Sequence, residues 1–158
     1  MSSEPRSSAS GAEQRGRPSR GRAHGALLAL FSALFAFRVV AQYVQRVWPT
    51  PLLPPLEAWQ GSSLRYPLLL ASQIVILIAM VGFSIAVFDG LRVDRRSGGW
   101  LLALGGIYFA VMGARLVLGL TLLADVPWFQ KWLPAVFHLV LASYVLTLGH
   151  HHRTAAGP

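Results

Sequence analysis

The chain alternates long apolar stretches with shorter polar ones. Four apolar stretches reach or approach the ~20 residues that a helix needs to cross a bilayer. They cover residues 26–48, 67–88, 100–124 and 133–149, and the second contains no charged residue. The pattern therefore predicts an all-α protein, an integral membrane four-helix bundle whose transmembrane domain extends over residues 26–149.

Polar segments flank and connect these stretches. Residues 1–25 lack Ile, Val, Phe, Trp and Tyr but hold five arginines, so they are too polar to bury a core and are predicted to form a disordered basic tail. Residues 150–158 form a second tail. The loop of residues 49–66 contains four prolines, which forbid a continuous helix, and we expect at most one helical turn, at Leu56 to Gln60.

Composition narrows the class further. Hydrophobic residues make up 54% of the chain and charged residues 13%, a balance that excludes ordinary soluble, disordered and fibrous proteins. The formal net charge is +8, but the basic residues mostly flank apolar spans, so no nucleic acid is needed to explain them. The absence of cysteine excludes disulfides, thiolate nucleophiles and cysteine-ligated metals. Thirteen arginines and one lysine suggest a bacterial coding sequence.

Basic residues also predict the orientation of the helices. The N-terminal tail has five arginines, the loop of residues 89–99 has three and the C-terminal tail has one, against three basic residues on the other side. Because cytoplasmic loops are enriched in Lys and Arg, both termini are predicted to be cytoplasmic, in a bacterial inner membrane. The five tryptophans are predicted to lie at the two interfaces: Trp48, Trp59, Trp128 and Trp132 outside, Trp100 inside.

A second interpretation of the first span remains open. Residues 26–37 also resemble the apolar core of a secretory signal, and Val39-Val40-Ala41 before Gln42 fits a small-residue cleavage site loosely. Cleavage would leave three helices and remove Arg38. The long basic leader and the bulky Val39 argue against it.

Polar residues inside the predicted spans are the candidate functional residues: Arg38, Gln42, Gln73, Arg115 and His138. At ~1.5 Å of rise per residue, all five lie in the outer half of the bilayer. Arg38, Gln42 and Gln45 follow an i, i+4, i+7 stripe, and Tyr108 shares a helix face with Arg115. We therefore expect each helix to contribute to one polar pocket that opens outward.

Two arginines in a membrane need compensation, because burying an unpaired charge is costly. Three sources are open: Glu57 folding down from the loop, the glutamine amides and backbone carbonyls, or an external anion. The first two would make the constellation purely architectural, and the third would make it a binding site for a lipid headgroup, a quinone or a small carboxylate. In a third interpretation, Arg38 or Arg115 reaches the outer phosphates and no pocket is shared.

Two further patterns matter for packing and cofactors. Gly106, Ala110 and Gly113 form a small-residue strip, favoured for helix packing within the monomer over a dimer interface. The cofactor is unknown, and haem and metal are not expected: His138 has no second histidine at its depth, and His24 and His150, which could face each other, border polar flanks. The run His150-His151-His152 cannot share one helix face and is interpreted as an interfacial patch or a weak adventitious metal site. No nucleotide or hydrolase signature is present.

The sequence thus predicts a small inner-membrane protein without a confident catalytic residue. Its expected role is a non-enzymatic accessory or interaction subunit, or a binding module for a lipid-like ligand, with membrane lipids, another membrane protein or a second copy as partners. The alternative is a membrane enzyme or redox partner acting on a quinone or lipid. There Arg38 and Arg115 would clamp the anion, Glu57 would act as acid or base and His138 would carry a proton.

Overall fold

The computed structural model describes residues 17–59, 65–90, 95–123, 125–126, 129 and 131–155. Within these residues the chain forms helices and connecting turns, without strands, which confirms the predicted all-α class. The five helices are α1 (Arg17–Val47), α2 (Leu56–Trp59), α3 (Tyr66–Phe88), α4 (Arg95–Leu120) and α5 (Trp132–Ala155).

Four of these helices, all except α2, are long and apolar enough to cross a membrane. They overlap the four predicted spans, although α4 runs from Arg95 to Leu120 where the sequence predicts residues 100–124. Their outward faces expose many large apolar side chains, for example Phe37, Val40, Val75, Ile107 and Val117. Water penalises apolar patches of this extent, so the helices suggest a transmembrane protein.

Helices α1 and α5 extend beyond the apolar stretches from which they are predicted. α1 begins at Arg17 rather than at Ala26, so part of the predicted tail is helix, and α5 continues through Ala155, beyond the predicted end at Gly149. Hydropathy marks the thickness of the bilayer and not the ends of a helix, and Arg and Ala are favourable helix formers outside it. Residues 1–16 and 156–158 of the two predicted tails lie outside the described residues.

Proline and glycine determine where α3 begins and ends. Pro67 occupies the first turn of α3, where a missing backbone N–H costs nothing. The helix ends at Asp89, whose N–H donates to the carbonyl of Ile85, and Gly90 follows with a φ of 85°, a conformation that glycine adopts without steric cost. The chain can therefore turn sharply at this end.

The four long helices pack mainly as neighbours in sequence. α1 packs on α3, α4 packs on α5, and α1 with α5 joins the two pairs. The buried core lies between α1, α3 and α5 and consists of Leu28, Phe35, Val39, Met80, Val87, Tyr144 and Leu148. α4 therefore has its main contact with α5 alone.

A short polar seam crosses this core. The Tyr144 hydroxyl donates to the backbone carbonyl of Met80 at 2.6 Å, and the Ser84 hydroxyl lies 3.4 Å from that of Tyr144 and 3.3 Å from that of Ser32. All four residues are buried. In a membrane, apolar side chains are surrounded by apolar groups whether they contact protein or lipid, so hydrogen bonds between helices help to hold a bundle together.

The backbones of α4 and α5 approach each other closely at glycines other than the predicted strip. A Cβ at Gly149 would lie 3.0 Å from the backbone nitrogen of Leu102 and 3.1 Å from the carbonyl oxygen of Gly98. A Cβ at Gly106 would meet nothing within 4 Å. The contact between α4 and α5 therefore depends on Gly98 and Gly149, and the predicted strip faces away from it at Gly106.

Candidate functional site

The polar stripe of α1 is buried along its length. Arg38 is 6% exposed, Gln42 1% and Gln45 9%. The spacing of four and three residues places them on one face of α1, and this face is turned into the bundle as the sequence predicts. The Gln45 side-chain oxygen accepts the backbone N–H of Thr50 at 3.1 Å, so the last residue of the stripe holds the turn that follows α1.

Gln42 and Gln73 meet across α1 and α3. The Gln73 side-chain nitrogen donates to the Gln42 side-chain oxygen at 3.1 Å, and both side chains are buried. The Gln42 amide nitrogen is also buried and makes no hydrogen bond within the part of the chain that the structure describes. One donor therefore remains directed into the protein without an acceptor from the described residues.

The Arg38 side chain lies beneath the short helix α2. One terminal nitrogen donates to the backbone carbonyl of Trp59 at 3.5 Å, and the guanidinium carbon lies 5.4 Å from the centre of the Phe137 ring, a cation–π contact. The Nε atom is buried and makes no hydrogen bond among the described residues. A guanidinium offers five N–H donors. Arg38 makes one long hydrogen bond and one contact with an aromatic ring.

Trp59, which the sequence predicts at the outer interface, is buried within the bundle. Its side chain is 3% exposed, while Trp48, Trp100 and Trp132 are all at least half exposed; Trp128 lies outside the described residues. The Trp59 indole N–H donates to the carbonyl of Pro54 at 2.9 Å, and the ring stacks on Phe137. The proline-rich turn thus folds Trp59 inward over Arg38.

Glu57 does not approach the arginines. It is exposed and forms no salt bridge with any described residue. Successive helical positions differ by ~100°, so a residue two places before the inward-facing Trp59 points to the opposite side. The other acidic residues that the structure describes, Asp89 and Asp125, are also exposed. No described carboxylate therefore neutralises Arg38.

The remaining candidates come from α4 and α5. The Tyr108 hydroxyl lies 2.6 Å from Nδ1 of His138, with the two rings edge to face. Both side chains lie within electrostatic range of Arg38 and of Arg115, which is itself 6% exposed. Three of the long helices thus bring charged and titratable groups together, and α3 adds Gln73 through Gln42.

We call Arg38, Gln42, Gln73, Tyr108, Arg115 and His138 the polar cluster. It contains every ligand-binding candidate predicted from the sequence. The sequence places Tyr108 on the helix face of Arg115 without assigning it to the site, and it does not predict that Trp59 and Phe137 lie against Arg38. Aromatic residues are common in membrane helices. Their presence in the sequence therefore does not indicate which of them contacts a buried arginine.

Among the described residues, no group of three or more His, Asp or Glu side chains is arranged to hold a metal ion. In comparisons with known proteins, no family model matches the chain, no curated protein matches it and no solved structure matches it. The chemistry of the polar cluster is therefore argued from its own residues. It offers two guanidinium groups, an amide and a hydrogen-bonded tyrosine–histidine pair to a ligand rich in acceptor oxygens.

Proposed function

We propose that this chain is an integral protein of the bacterial cytoplasmic membrane, with four transmembrane helices and both termini in the cytoplasm. The four long apolar helices and their exposed apolar faces support insertion. The bias of basic residues toward the tails and the connection between α3 and α4 supports the orientation. In this orientation α2 and the polar cluster lie on the outer side.

We further propose that the polar cluster is a binding site for a lipid-like molecule that carries a phosphate, carboxylate or carbonyl group. The observation that carries this proposal is Arg38: 6% exposed within a helix of membrane-spanning length, without a carboxylate from the described residues and with its Nε–H unpaired among them. A buried polar group without a partner is costly. Such a group persists where a ligand completes it.

The geometry favours ligands with acceptor oxygens. Arginine binds phosphate and carboxylate with two parallel hydrogen bonds, and the Gln42 amide nitrogen adds a donor one helical turn from Arg38. Arg115 brings a second positive charge near the same place. The role supported best is therefore non-enzymatic: a binding module, alone or as an accessory subunit of a membrane assembly.

One observation favours a second candidate, an enzyme or redox partner acting on a quinone or lipid. The hydrogen bond between Tyr108 and His138, at 2.6 Å, is a path along which a proton can move to or from a bound carbonyl oxygen. Glu57, exposed and on the far side of α2, is not part of this path. An enzyme would return the ligand with a changed mass, whereas a binding module would release it unchanged.

The test is native mass spectrometry of the full chain extracted in mild detergent, with an absorbance scan of the same sample. We expect a small molecule to be retained by the wild type and by Arg46→Gln, an exposed arginine at the end of the same helix, but not by Arg38→Gln. A copurifying protein in stoichiometric amount would identify the accessory-subunit form. A bare wild-type chain, or equal retention by Arg38→Gln, would contradict the binding site.

A further inference from the structure

A second cluster lies at the end of the bundle opposite α2, where α1 begins and α5 ends. The His24 ring centre is 5.6 Å from that of His150 and 5.4 Å from that of His151, and His151 is 5.7 Å from His152. We call these four residues the histidine cluster. Residues distant in sequence are thus brought together by the packing of α1 on α5.

The cluster adjoins an open groove on the side of the bundle. The groove has a volume of about 320 Å³ and is lined by His24, Leu27, Leu102, Leu146, Thr147 and His150. Leu27 and Leu146 each lie about one helical turn further into the bundle than the histidine of their own helix. The groove is therefore polar at the helix ends and apolar toward the middle of the helices.

The surroundings of the groove are basic. Arg22, Arg96 and Arg153 are exposed on α1, α4 and α5 at this end. Asp89, exposed at the end of α3, is the acidic residue that the structure describes there. The described charged side chains at this end therefore carry three positive charges against one negative charge, before any histidine is protonated.

We propose that the histidine cluster and the groove bind an anionic phospholipid. The phosphate lies at His24 and His150 within reach of the flanking arginines, and one acyl chain follows Leu27, Leu102 and Leu146. Basic pockets between membrane helices on the cytoplasmic side are suited to anionic headgroups. An acyl chain is solvated as well by the bilayer as by the groove. The headgroup charge therefore determines which lipid the site binds in preference. This site is separate from the polar cluster and does not depend on its ligand.

The experiment uses the full chain in nanodiscs of phosphatidylcholine and phosphatidylglycerol in equal parts, released gently for native mass spectrometry. We expect the wild type to retain phosphatidylglycerol in preference to phosphatidylcholine. His24→Gln/His150→Gln removes both imidazoles from the proposed phosphate position and should lower retention at least ~5-fold, which corresponds to ~1 kcal/mol. His150→Arg, which supplies a permanent cation at an exposed position, should restore it, and Arg46→Gln, at the opposite end of α1, should leave it unchanged.

Two readouts guard against trivial results. Circular dichroism checks that the double variant remains helical, and the rescue by His150→Arg in a His24→Gln background separates loss of a phosphate-binding group from loss of fold. Equal retention of the two lipids by the wild type would overturn the proposal. So would unchanged retention in the double variant, displacement of the lipid by inorganic phosphate, or a retained haem in its place.

Discussion

Replacing Arg38 by methionine separates a binding role from an architectural one. Methionine carries no charge and fills the space of the aliphatic part of the Arg38 side chain between α2 and Phe137. If Arg38 serves a ligand, the ligand-free protein should tolerate Arg38→Met or gain stability. If Arg38 holds the bundle together, the same change should destabilise it.

The contacts of Arg38 give the magnitude. The substitution removes a cation–π contact with Phe137 worth ~1–2 kcal/mol and a 3.5 Å hydrogen bond to Trp59, which at that length contributes at most ~1 kcal/mol. It also removes a buried Nε–H without a described partner, which costs ~1–3 kcal/mol, and the desolvation of a guanidinium, which costs several kcal/mol. The free energy of unfolding should therefore lie between no change and an increase of about 3 kcal/mol.

The assay is reversible unfolding in mixed micelles, followed by circular dichroism, on protein from which small molecules have been stripped. Arg46→Met is the matched control: it lies on the same helix, is exposed and contacts the Tyr66 ring at 5.7 Å, so its effect should stay within ~1 kcal/mol. A loss of more than ~2 kcal/mol for Arg38→Met alone would refute the reasoning and make the polar cluster a structural network.

Three further outcomes are expected. Gly149→Ala should lower the free energy of unfolding by ~1–3 kcal/mol because its Cβ meets backbone atoms, whereas Gly106→Ala should raise it by up to ~1 kcal/mol; similar values for both would contradict the assigned contact. Tyr144→Phe should cost ~1 kcal/mol in the same assay through the lost hydrogen bond to α3, and a neutral result would show that the seam is dispensable. In the cysteine-free chain, Leu52→Cys should react with an impermeant maleimide on intact cells and Thr154→Cys only after lysis; the reverse pattern would invert the orientation.

The sequence predicts the membrane-spanning helices better than it predicts their ends or the faces on which they pack. Long apolar runs announce α1, α3, α4 and α5 because hydrophobic length is a direct requirement of the bilayer. The helix ends are missed at Arg17 and Ala155, because the same helical backbone continues outside the apolar layer. The small-residue strip is wrong at Gly106: a Cβ at Gly105, the residue before it, would lie 3.1 Å from Leu146 of α5, and one position turns the helix face by ~100°.

The candidate site shows the same division. Arg38, Gln42 and Gln73 are predicted because polar residues in apolar helices must face protein, and the Gln42–Gln73 bond shows two of them meeting. The structure reverses the expected positions of two loop residues: Glu57, a candidate partner of the arginines, is exposed, and Trp59 covers Arg38. α2 is a single helical turn preceded by prolines, and its packing on α5 determines which face points inward. The local sequence does not predict that packing.

The pairing of the helices has a consequence for how the chain is assembled. α1 with α3 and α4 with α5 are hairpins of sequence neighbours, so each pair can form as soon as its second helix is synthesised. The aromatic face that covers Arg38 belongs to α5, which is synthesised after α1, α3 and α4. During synthesis Arg38 is therefore without Phe137 until the second hairpin docks on the first.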